Sequence, residues 1–162
     1  MSELTKGFMG IIIGGVVGAI LGAKWVGRQY DLHCEKIERT SDKFSDTCSV
    51  LTKWIKIHQS GKKLDSYFEK YGYKKISIYG MNEMAYALIS ELKDSDVSVD
   101  YCIDRNADNL FLEIKCLKPD EKLPEVDLCV IALPELFEEI SKSLSNNLQS
   151  PMVSIEDVVW GV

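Results

Sequence analysis

A chain of 162 residues has room for one modest domain and its appendages, and 46% hydrophobic with 27% charged residues is ordinary for a globular protein. A formal net charge of −6, with no Lys/Arg block, argues against nucleic acid as a partner, because a polyanion needs a basic surface. The five cysteines (Cys34, Cys48, Cys102, Cys116, Cys129) are odd in number and form no C-x-x-C, so the pattern fits a reducing compartment. His33 beside Cys34 reads as a surface histidine next to a seam cysteine, and no metal site is expected.

Residues 7–23 (GFMGIIIGGVVGAILGA) carry no charged or strongly polar side chain. As a helix they span roughly 25 Å. Trp25, Val26 and Gly27 extend the run, and Lys24 can snorkel to the interface. So many glycines would weaken a helix in water by about 1 kcal/mol each, an objection that fades in lipid. A secretory signal peptide is the competing reading, but the cleavage signal is poor. The expectation is an uncleaved, single-pass transmembrane anchor over residues 1–28. Lys24, Arg28, Lys36, Arg39 and Lys43 follow the span and only Lys6 precedes it, which puts the C-terminal domain in the cytoplasm. Gly10, Gly14, Gly18 and Gly22 recur every four residues, with Gly15, Ala19 and Ala23 beside them. Such a glycine zipper lets two backbones approach closely in the bilayer, so a homo-oligomer through the anchor is expected. This head is loosely similar to the Gly-rich N-termini of small YtxH-type bacterial envelope proteins.

Residues 29–60 read as a helical stalk, because 29–58 contain neither Pro nor Gly. Tyr30, Cys34, Ile37, Ser41, Phe44, Cys48, Leu51 and Ile55 alternate four and three apart, a heptad seam with Ser and Cys at several core positions. Val50, Trp54 and Ile57 add a second apolar surface. Either the stalk pairs with a copy of itself as a coiled coil, or its last turns dock on the domain that follows. Gly61 should end it. Leu64, Tyr67, Phe68 and Tyr71 then give the face of a short helix closed by Gly72. Tyr71 and Lys75 spell Tyr-x-x-x-Lys, the pair used by short-chain dehydrogenases, but ahead of the first strand this reads as chance.

The organising unit runs over residues 74–106. Ile76 and Ile78 mark a strand, Gly80 a turn, and Met84, Ala87, Leu88 and Leu92 a helix face. Val97, Val99, Tyr101 and Ile103 alternate as a second strand, and Asp104 follows at its end. This is a βαβ unit. Helix-start amides above the turn welcome a phosphate, and a carboxylate at the next strand's end can accept ribose hydroxyls. Against the fingerprint G-x-G-x-x-G/A, residues 80–85 read Gly80, Met81, Asn82, Glu83, Met84, Ala85: the first Gly and the last small residue match, and Asn82 replaces the middle Gly.

The run 61–104, with the tail VDLCVIALPELFEEI…PMVSIEDVVW, resembles a small Rossmann-like domain found in bacterial capsule and surface-polysaccharide loci, alone or attached to glycosyltransferases. It is also similar to the N-terminal sugar-nucleotide-binding domain of sialic-acid-type and bacillosamine-type acetyltransferases. Members commonly carry Gly where Asn82 stands. The resemblance implies nucleotide or nucleotide-sugar binding, with NAD(P) or a UDP-sugar as the ligand class and polysaccharide-synthesis enzymes as partners.

After a polar loop, residues 110–117 hold a short strand around Ile114. Residues 126–133 (VDLCVIAL) read as a buried parallel strand. Pro134 opens a helix with Leu136, Ile140 and Leu144 inward, and 152–155 form a last strand. The expected fold of residues 61–162 is therefore α/β: a small Rossmann-like parallel sheet of four to five strands, preceded by a transmembrane helix and a long linker helix. Its crevice would be lined by Gly80, Met81, Asn82, Ala85, Asp104, Arg105, Asn106, Ala132 and Leu133. No Cys/His pair, Ser/His/Asp set or paired carboxylates converge there, so no catalytic residue is expected. Three readings follow: a membrane-anchored, non-catalytic nucleotide or nucleotide-sugar module; a nucleotide-sugar epimerase or oxidoreductase completed by a partner; and an oligomerising scaffold with an empty pocket.

Overall fold

The structure is a computed structural model that describes residues 25, 27–30, 33–34 and 44–162, except 112. The expected span over 7–23, its repeat Gly10, Gly14, Gly18 and Gly22, and most of the upper stalk lie outside the described residues. Among the described residues no helix is long and apolar enough to cross a membrane. The chain divides into two compact units, 1–46 and 47–162. In the first, Trp25, Tyr30 and Cys34 are helical and exposed.

The second unit is α/β with one all-parallel sheet of five strands. A helix over 44–59 (α1) leads into it. There follow α2 (Asp65–Tyr71), β1 (Lys75–Tyr79), α3 (Glu83–Leu92), β2 (Ser98–Ile103), β3 (Cys116–Leu117), β4 (Leu128–Ile131), α4 (Phe137–Leu144), β5 (Met152–Ser154) and α5 (Ile155–Trp160). The strand order is β3-β2-β1-β4-β5, every neighbouring pair parallel. That order is the one associated with doubly wound dinucleotide folds, with its switch point between β1 and β4. The third strand is shorter and later than the Ile114-centred segment expected, because only Cys102↔Cys116 and Ile103↔Leu117 pair.

A parallel sheet must be covered on both faces, and the strands supply apolar side chains to both. Ile76 and Ile78 of β1 and Leu128 and Val130 of β4 point to one layer. Tyr79, Cys129 and Ile131 point to the other. The first layer is covered by α1, α2, α3 and α5 through Val50, Trp54, Ile57, Leu64, Phe68, Leu88 and Val158. The second is covered by α4 through Ile140 and Leu144, helped by Leu117, Leu123 and Leu148. Three expected face positions are corrected. Ala87 is exposed and Ala85 is buried in its place, Tyr71 is 53% exposed, and Leu136 is exposed in the 3-10 turn before α4. In each case the packed arc is narrower than the spacing alone suggested.

Of the two stalk readings, docking holds for the last turns of α1. Val50, Trp54 and Ile57 are almost fully buried in the first layer. Glu91 of α3 latches them: its Oε2 accepts from Trp54 Nε1 at 2.6 Å and meets His58 Nε2 at 3.0 Å, while its Oε1 accepts from the Leu64 amide at 2.6 Å. The carboxylate side chain is only 5% exposed, so these donors replace its water. Ser77 is also buried, and its hydroxyl makes no hydrogen bond of good geometry although its register partners Tyr101 and Cys129 lie beside it.

At the opposite end of the sheet from the Gly80 turn, Asp127 Oδ2 accepts from the Lys74 and Lys75 amides at 2.7 and 2.8 Å. The Lys75 amide first, then that of Lys74, holds this carboxyl below its ordinary value.

Two outcomes follow from this packing. Glu91→Ala orphans the Trp54 and Leu64 donors and should lower unfolding stability by about 2 kcal/mol in urea titration. Asp127 is stabilising while ionised, so its contribution is full above an unfolded pKa of about 4 and is lost as pH falls through the lowered folded value. The stability gap between wild type and Asp127→Asn should therefore close on going from neutral pH to about pH 3, measured by thermal unfolding at both.

Candidate functional site

The switch point lies beyond the C-terminal ends of β1 and β4, where Gly80 turns the chain from β1 into α3. Its φ is +84°, a conformation suited to glycine. A Cβ at Gly80 would lie 2.8 Å from Leu133 Cδ1, so the second residue after β4 packs directly on the turn. Both facts favour glycine here whether or not any ligand is bound.

The next residues are tied down by neighbouring side chains. The Met81 amide donates to Asp104 Oδ2 at 2.8 Å, and the Asn106 amide donates to Asp104 Oδ1 at 2.8 Å. Both oxygens of the expected ribose-reading carboxylate are thus held by main-chain donors. Asn82 is the N-cap of α3: its Oδ1 accepts from the Ala85 amide at 3.0 Å, and its Nδ2 donates to the Ala132 carbonyl at 2.7 Å. The Asn82 amide donates to the Gly80 carbonyl at 3.0 Å. One side chain therefore caps the helix and bridges it to the end of β4. Glycine, the middle residue of the dinucleotide fingerprint, can do neither.

Eight of the nine expected lining residues are brought together by these contacts: Gly80, Met81, Asn82, Ala85, Asp104, Asn106, Ala132 and Leu133. Arg105 is not. Its guanidinium turns toward Glu139 of α4 at 3.9 Å, both groups more than two-thirds exposed, a pairing worth little in water. Glu135, at the 3-10 turn before α4, is exposed. Among the described residues no group of three His, Cys, Asp or Glu could hold a metal ion.

The nearby thiols are not poised as nucleophiles. Burial, then the neighbouring Cys116, pushes the Cys102 thiol up to about 12. Burial pushes Cys129 up to about 11. Cys116 is raised too, again first by burial. All three stay protonated at neutral pH. A groove of about 650 Å³ lies elsewhere, at the start of β2, between Tyr86 and Ile89 of α3, Val97 and Val99, and Phe111 and Ile114.

The partners that close the crevice carried no sequence signal of their own. Asn is a favoured N-cap type, a signal the fingerprint reading of Asn82 passed over, and its side-chain amide reaching Ala132, 50 residues away, has no local signature. Asn82→Asp keeps the cap and loses the donor to Ala132, whereas Asn82→Ala loses both. Chemical unfolding should order them wild type, then Asp, then Ala, with the alanine variant about 1 to 2 kcal/mol below wild type. No family model, curated protein or solved structure matches the chain.

Proposed function

We propose that this protein is a membrane-anchored, non-catalytic scaffold whose nucleotide-type crevice is filled by its own side chains. The observation that carries the reading is Asp104: its two carboxylate oxygens are each occupied by a backbone amide, at 2.8 Å from Met81 and from Asn106. Each oxygen keeps a second lone pair, but the two amides fix the carboxylate's orientation, so a ribose would have to take the acceptor sites they leave. Asn82 supports it by taking the Ala85 amide that a phosphate would use. In this reading residues 7–23 anchor the chain by a single span, Gly10, Gly14, Gly18 and Gly22 pack copies together, and the α/β unit stands on the cytoplasmic side. There it would hold enzymes of surface-polysaccharide synthesis at the bilayer, the setting that the resemblance implies.

A second reading, the nucleotide or nucleotide-sugar module, is favoured by one observation: the β3-β2-β1-β4-β5 order with a glycine turn at the switch point. NAD(P) or a UDP-sugar would then have to share Asp104 with the Met81 amide and draw the Ala85 amide away from Asn82. The two readings part in a thermal-shift series on the full chain in detergent, with NAD(H), NADP(H) and UDP-sugars at millimolar concentration. A ligand at ten times its Kd adds about 1.4 kcal/mol to stability, which is several degrees in Tm for a unit of this size. The scaffold predicts no shift with any of them. A shift of several degrees with one, lost in Asp104→Ala, would replace it with the second reading.

A further inference from the structure

The α1 helix carries two apolar stripes, and the α/β unit uses only one. Val50, Trp54 and Ile57 are buried at 1, 5 and 4% exposure. Cys48, Leu51 and Ile55 lie about 120° further round the same helix. They face solvent: Leu51 is 40% exposed, Ile55 57%, and Cys48 is an exposed free thiol. An isolated exposed leucine means nothing, but these three fall at positions a, d and a of a heptad. In sequence the same register runs back through Phe44, Ser41, Ile37 and Cys34 to Tyr30.

We infer that this second stripe is the seam of a parallel, two-stranded coiled coil with a second copy of the chain. A stripe spaced four and three apart is complementary to another helix with the same spacing, and a copy in register supplies it. The domain does not cover it: α1 docks through a different arc, by Val50, Trp54 and the Glu91 latch, and leaves Leu51 and Ile55 exposed. Of the flanking e and g positions, Ser45, Thr47 and Thr52 are short and uncharged and Trp54 is turned into the domain core, so no like charges face each other across the seam. An interfacial lipid-binding helix would instead flank its apolar face with lysines. The surface is distinct from the anchor glycines and does not depend on them. A parallel pairing places Cys48 opposite Cys48 at a core position.

The test is disulfide trapping of the full chain in detergent, with copper-phenanthroline as oxidant. In a Cys34→Ser background, Cys48 should give a covalent dimer on a non-reducing gel, and adding Cys48→Ser should abolish it. Leu51→Glu with Ile55→Glu, both at exposed sites, should cut the yield by roughly tenfold or more, since the pair buries charges on association. In a Cys34→Ser/Cys48→Ser background, Leu51→Cys and Ile55→Cys should crosslink, while Lys53→Cys, on the far side of the helix, should not. This helical periodicity reads the interface even if the glutamate variant misfolds. Absence of a Cys48 dimer, crosslinking equal at 51, 53 and 55, or a yield unchanged in a folded glutamate variant would each overturn the inference. The last two would assign association to the anchor or to random collision in the micelle.

Discussion

The structure depends on the two central strands, β1 and β4, being buried on both faces. Ile76, Ile78, Leu128, Val130 and Ile131 have no measurable exposure, so water is excluded from both sides of the sheet. Everything else in residues 47–162 is recruited to that end. The α4 helix and the loops around Leu123 and Leu148 cover one layer, while three helices of the α/β unit are too few for the other. The last turns of the stalk complete it, and Glu91 fixes their angle by binding Trp54, His58 and the Leu64 amide together. The stalk is therefore part of the domain's core at its end.

Covering both faces leaves the C-terminal ends of the strands as the place where a parallel sheet meets solvent. In many folds of this class a ligand occupies that crevice. In this chain several of the donors and acceptors there pair with one another. Asp104 binds two amides, Asn82 caps α3 and reaches across to Ala132, and Leu133 packs on Gly80. A dinucleotide fingerprint keeps its middle position as glycine so that backbone and pyrophosphate can approach. Asn82 inverts that logic: its side chain supplies the acceptor that a phosphate would supply. The thiols nearby are raised far above neutral pH by burial, and nothing among these contacts arranges a nucleophile or an acid–base pair. The geometry is that of a crevice partly paired within itself.

The α/β unit has one docked helix with a second apolar arc still facing water. The same amphipathic segment thus serves intramolecular packing through one set of positions and leaves Cys48, Leu51 and Ile55 for another helix. Copies paired through that arc would have their domains oriented by the same helix, because the last turns of α1 lie in the core.

Local pattern alone specified much of the molecule. The βαβ unit, its glycine turn, the buried β4 run, and the ends of α1 and α2 at Gly61 and Gly72 follow from periodicity and from residues that tolerate positive φ, all of which are properties of short stretches. The strand order, the docking of Trp54 beneath Glu91, the narrowed faces of α2, α3 and α4, and above all the partners of Asn82 and Asp104 were decided by contacts between residues tens of positions apart. A carboxylate at a strand end looks the same in sequence whether it stands free or already holds the Met81 amide. Which of the two it does depends on where the chain brings a competing donor, and only the folded backbone sets that.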